Sequence, residues 1–135
     1  GTMSEGLVVG ADTVVVIGDI VMGKADDPLE ARVMLEALKG RMHRVLTGLA
    51  VIDAGTGKRE VTVVETKVWI HSLTVDEIRD YVSTGEPMGK AGGYAIQGAG
   101  GALVERVEGS FENVVGLPIA RLRSMLEGFG FEIQS

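Results

Sequence analysis

Apolar residues cluster first between Leu7 and Ile17, where Leu7, Val8 and Val9 are separated from Val14, Val15, Val16 and Ile17 by Gly10, Ala11, Asp12 and Thr13. Length and valine enrichment predict strand on either side of that interruption, and the pair Gly18-Asp19 predicts a tight turn into Ile20, Val21 and Met22. A second apolar stretch from Val45 to Ile52 predicts a strand covered on both faces. Turn residues between Asp53 and Lys58 make it the first arm of a long hairpin. The return arm alternates at Val64, Thr66, Val68 and Ile70, while Val61 and Val63 fall on the other phase. That phase change predicts a bulge or two-sided burial near Val63.

Helical spacing appears in three places. Asp27-Pro28-Leu29-Glu30 offers a capping aspartate, a proline at the first helical position and a glutamate at the third. A helix follows to about Lys39, its Val33, Met34, Ala37 and Leu38 sharing a face and Gly40 supplying the stop. Thr74-Val75-Asp76-Glu77 is a capping box for a helix to about Ser83, with Val75, Ile78 and Val82 inward. A short strand or extended loop is expected at Tyr94 to Gln97, a better strand at Ala102 to Val107, and a last helix over Leu117 to Gly128. Ile119, Leu122, Leu126 and Phe129 share its spacing, and Phe131 to Ile133 reads as an edge strand. Strands that alternate with helices around a hairpin predict an α/β domain with a mixed twisted sheet flanked by helices.

The 135 residues suffice for one core. Gly1 to Met3 read as a cloning remnant ending in an initiator methionine, and 4–135 as a single domain. No apolar run approaches bilayer-spanning length and no secretory leader is visible, so a protein without membrane contact is expected. The absence of cysteine excludes a disulfide framework and a thiolate metal site and is compatible with a cytoplasmic location. A net charge of -6 argues against binding nucleic-acid polymers, whose phosphates call for clustered Lys and Arg. Small anions in a local basic pocket are not excluded.

Three places could carry chemistry. Asp12, in an apolar stretch, is expected to be buried, and an unpaired buried carboxylate is costly enough that it should be paired, protonated or turned to a cleft. There it could hold a divalent cation or activate water, with Thr13 orienting a ligand through its hydroxyl. The plainer reading is an aspartate that satisfies backbone amides at a bulge. Lys24, after Gly23 and ahead of a helix, could present charge to phosphate, although exposed loop lysines are common. In the stretch from Lys90 to Gly98, glycines permit close backbone approach, Lys90 brings charge, and Gln97 offers a donor and an acceptor suited to the edge of a base. Neither a Walker loop nor a GxGxxG turn is present. His43 and His71 lack partners at metal-ligand spacing and read as structural or exposed.

The strings GADTVV (10–15), GK (23–24), GRMHRVLTG (40–48), STGEPMGKAGGYAIQG (83–98) and SFENVVGLP (110–118) occur in the order and spacing of one family. In them the chain resembles the Maf proteins, or septum-formation inhibitor homologues, from Leu7 to its end. The resemblance implies a Maf/ITPase-like fold and a nucleoside triphosphate pyrophosphatase that cleaves between the α and β phosphates with a divalent metal, Mg²⁺ or Mn²⁺. It implies that Asp12 accepts the proton of the attacking water and lies near the metal. Thr13 and Gln97 match positions that mark the dTTP/UTP subgroup, Lys24 matches a lysine facing the triphosphate, and Lys90 is a second candidate for that role.

Family members also carry a Ser-x-Ser-Pro-Arg-Arg loop and further charged pocket residues before the GADT segment, whereas only eleven residues precede Asp12. The expectation is therefore an N-terminally truncated domain, or a short natural relative, spanning the C-terminal two-thirds of the family fold. The alternative function is a catalytically impaired nucleotide-binding or assembly module. An exposed sheet edge left by such a truncation predicts a homodimer or larger homo-oligomer.

Overall fold

The computed structural model describes residues 7–115 and 118–129. The first apolar stretch forms one unbroken strand, β1 (Leu7–Ile17), with no gap at Gly10 to Asp12, because these residues continue the ladder opposite Ala50, Leu49 and Gly48. Gly18-Asp19 turns it into β2 (Ile20–Met22), with Ile17 opposite Ile20. Helix α1 (Pro28–Leu38) starts where the capping pattern placed it: the Asp27 side chain accepts from the Glu30 amide at 2.8 Å. The hairpin follows as β3 (Met42–Asp53) and β4 (Arg59–Ile70). Helix α2 (Val75–Val82) carries the full Thr74–Glu77 capping box. A 3-10 turn (Gly98–Leu103) leads into β5 (Val104–Gly109), followed by α3 (Phe111–Val115) and α4 (Ile119–Gly128).

The five strands form one sheet in the order β2-β1-β3-β4-β5. An α/β domain is thus found as expected, but every strand ladder is antiparallel. The only parallel pairing among the described residues is an isolated bridge, Ala25 to Met88. Tight turns after β1 and β3 account for two of the four ladders, β1–β2 and β3–β4, since each returns the chain directly alongside itself.

Alternation along the strands assigns the faces. His43, Val45, Thr47, Leu49 and Val51 of β3 point to the covered face, while the intervening residues are half-buried, so the strand is not enclosed equally on both sides. Val15 and Ile17 of β1 and Val68 and Ile70 of β4 join Val45 beneath Ala31, Leu35 and Leu38 of α1 and Ile78, Tyr81 and Val82 of α2. Further along, Leu49 and Val51 pack with Met125, Leu122 and Leu126 of α4 and with Phe129. The β3–β4 ladder runs from Met42–Trp69 to Ile52–Arg59 without a shift, so no bulge lies at Val63. Val61 and Val63 simply face outward and are exposed, and the irregularity occurs between Trp69 and Ile70 against β5.

The three expected helix faces do meet the core, through Met34, Ala37 and Leu38, through Ile78 and Val82, and through Leu122, Leu126 and Phe129, but each has one expected residue exposed. Val33 is 61% exposed, and α1 buries Ala31, Leu35 and Leu38, which recur at four and three residues. Val75 is exposed at the first position of α2, where Tyr81 takes the inward place. Ile119 is exposed and Met125 is the buried residue of α4. Tyr94 to Gln97 form no strand and β5 begins at Val104, the preceding glycines having closed into the 3-10 turn. Leu117 and the edge strand expected at Phe131 to Ile133 lie outside the described residues. No described helix is long and apolar enough to cross a membrane.

Candidate active site

Between the two apolar clusters on the covered face, the Thr13 and Thr47 hydroxyls meet at 2.8 Å across β1 and β3. A cavity of about 510 Å³ opens at this point. Ala11, Asp12 and Thr13 line its β1 side, Lys24, Gly89 and Lys90 another, Tyr94 to Gln97 a third, and Val114 and Val115 the α3 side. All five residues singled out in the sequence, Asp12, Thr13, Lys24, Lys90 and Gln97, therefore border one cavity although they are scattered along most of the chain.

Asp12 corrects the expectation of burial. It is exposed, and it lines the cavity from β1 beside Ala11 and Thr13. A carboxylate there needs no internal counter-charge and is accessible to water and to a ligand.

Backbone hydrogen bonds set the two lysines side by side. Lys24 bridges to Ala91, the Ala25 amide donates to the Lys90 carbonyl at 3.2 Å, and the Gly89 and Gly92 amides donate to the carbonyls of Ala25 (2.9 Å) and Gly23 (3.2 Å). This mutual bracing requires Gly92 against β1. Its φ is +73°, and a Cβ would meet Val15 Cγ2 at 2.9 Å. Two cationic side chains from separate loops thus line the same space, an arrangement suited to a polyanion.

Glu86 and Asn113 escaped the sequence reading, and His43 takes the structural place expected of it. Glu86 lines the cavity; its carboxyl pKa is held below the usual carboxylate value, first by the Tyr81 hydroxyl and then by the Gly100 and Ala99 amides and Lys90, against an opposing desolvation. The glutamate in the GEPMGK string was the available signal. Buried Asn113 donates to the Val45 and Val64 carbonyls at 3.0 Å each, pinning α3 over the hairpin so that Val114 and Val115 close one side. His43 Nε2 lies 2.7 Å from the hydroxyl of Tyr94, and burial pushes this histidine down to about 4. It acts as a neutral buttress behind the cavity wall.

No group of three or more His, Asp or Glu suited to a metal occurs among the described residues. Magnesium does not need one when substrate phosphates and water complete its shell around one or two carboxylates. Asp12 and Glu86 are the two carboxylates of the cavity lining, and since Glu86 already accepts three hydrogen bonds, Asp12 is the freer of the two to meet such an ion.

Comparison with known proteins gives these residues a context. A dTTP/UTP pyrophosphatase of Pelotomaculum thermopropionicum is 51% identical over 133 residues, covering 98% of this chain and 70% of that protein. One from Desulforamulus reducens is 52% identical over 130 residues, covering 96% and 68% respectively. One from Dictyoglomus thermophilum is 46% identical over 127 residues, covering 94% and 66%. The family described as Maf-like protein matches residues 2–129, and the chain belongs to it.

Proposed function

We propose that this protein is a nucleoside triphosphate pyrophosphatase that converts dTTP, UTP or modified pyrimidine nucleotides to the monophosphate and pyrophosphate. The observation that carries the reading is the convergence of Asp12, Thr13, Lys24, Lys90 and Gln97 on one cavity, in a member of a family whose relatives bear that name.

Lys24 and Lys90 hold the triphosphate and offset its charge. Water attacks the α-phosphorus, the bond to the bridging oxygen of the β-phosphate breaks, pyrophosphate leaves, and Asp12 accepts the proton of the water. Asp12 and the phosphates would also hold a divalent cation, Mg²⁺ or Mn²⁺, which when bound supplies further charge stabilisation. Gln97 reads the pyrimidine edge and Thr13, braced by Thr47, orients the nucleotide. The same reading takes the protein as a single cytoplasmic domain over 4–135 that assembles as a homodimer or larger homo-oligomer.

The experiment is pyrophosphate release from dTTP, UTP, CTP and GTP with Mg²⁺ or Mn²⁺. Asp12→Asn is expected to lower kcat on every nucleotide by about 10²–10⁴-fold, the usual contribution of a positioned general base. Unchanged turnover in that variant removes Asp12 from the chemistry. Nucleotide binding by calorimetry without any turnover would favour the binding-module reading instead.

A further inference from the structure

Glu86 borders the cavity, yet its carboxylate is spent on the loop that carries Gln97. Oε1 accepts from the Tyr81 hydroxyl at 2.8 Å and from the Gly100 amide at 2.8 Å, and Oε2 accepts from the Ala99 amide at 3.2 Å. The Tyr81 hydroxyl in turn accepts from the Ala95 amide at 2.9 Å. Both ends of the segment from Ala95 to Gly100 are therefore tied to one tyrosine–glutamate pair, with Gln97 between them.

The fit is close enough to exclude side chains. A Cβ on Gly98 would sit 2.7 Å from Glu86 Oε2. One on Gly100 would collide with the Ala95 carbonyl oxygen and come within 2.6 Å of the Tyr81 hydroxyl. Tyr81 is itself buried in the α2 face of the core, so the tie is anchored to the sheet-helix body rather than to another loop.

We propose that Tyr81 and Glu86 are positioning residues that hold Gln97 against the nucleobase and so set base selectivity. This rests on the nucleotide reading above and extends it to two residues, of which Tyr81 acts through the others. A loop of small residues has little stiffness of its own, and an amide discriminates between bases only if its donor and acceptor stay aligned. The carboxylate and hydroxyl supply that alignment by satisfying three backbone amides at once.

Two variants test it. Tyr81→Phe keeps the ring in the core and removes both hydroxyl contacts. Glu86→Gln keeps the size and turns one acceptor into a donor aimed at a backbone N–H. Each is expected to lower the ratio of kcat/KM for dTTP over GTP by about tenfold, the size of a lost hydrogen bond to a charged group, with the change in the preferred nucleotide carried by KM. Amide exchange at Ala99 and Gly100, read by NMR without nucleotide, should quicken in both. Unchanged exchange overturns the tie. Quickened exchange with an unchanged dTTP/GTP ratio overturns the selectivity role, as does an equal loss of kcat on all four nucleotides, which would put Glu86 on the phosphates. A wild-type chain that neither binds nor hydrolyses any nucleotide overturns the proposed function instead, while the exchange measurement still decides the tie.

Discussion

The two ends of β1 carry the same kind of residue into different surroundings. Val15 and Ile17 are 1% and 2% exposed, whereas Val8 and Val9 are 56% and 45% exposed. At the covered end β2 pairs with one edge and β3 with the other, and α1 and α2 lie across the face. At the open end only β3 pairs with the strand among the described residues. Hydrophobicity is equal along the strand, and burial is decided by what crosses it. Asp12 and Thr13 fall where one environment gives way to the other, which is how a carboxylate inside an apolar run comes to meet solvent.

The largest effect should come from breaking the covered end. Ile17→Ala removes a side chain from the cluster beneath α1 and α2 and is expected to cost about 2–5 kcal/mol, the range for emptying a packed aliphatic site. Urea denaturation measures it. A loss under about 1 kcal/mol would mean that the helices close over the gap and that the contrast within β1 is weaker than the exposures imply.

A titration sharpens the same contrast. His43, on the covered face two residues from the partner of Val15, has its pKa lowered from 6.5 to about 4 by burial. The unfolded chain therefore binds the proton more readily, so the neutral histidine's contribution is whole above pH 6.5 and is lost as pH falls toward 4. The shift corresponds to a loss of about 3 kcal/mol across that window. His43→Gln, which can still meet the Tyr94 hydroxyl, should flatten this part of the stability–pH profile. An unaltered slope would assign the acid sensitivity to other groups.

These environments also explain what could be read from the sequence. Capping at Asp27 and Thr74 and the turn at Gly18-Asp19 are local chemistry, and the structure has them where the residues indicate. In α1 Leu35 and not Val33 turns inward, because both are apolar and only the direction of the sheet chooses between them. The five residues that border the cavity were legible as a group through motif strings that lie far apart in the chain. Glu86 and Asn113 were not singled out, because their role lies in contacts to chain segments 13–14 and 49–68 positions away.

The smallest predicted effect lies at the open end. Val8→Thr keeps the β-branched shape that a strand prefers and adds a hydroxyl that water can solvate, so the cost should stay within about 0.5 kcal/mol. The same exchange at Val15 places that hydroxyl in the core, and about 1–3 kcal/mol is expected unless it finds a partner. Thermal unfolding of both variants at two protein concentrations makes the comparison complete. If Val8→Thr is costly only at the higher concentration, a second copy covers this end of β1, because a side chain buried by association reports through mass action. A cost at Val8 equal to that at Val15 and independent of concentration would erase the distinction between the two ends of the strand.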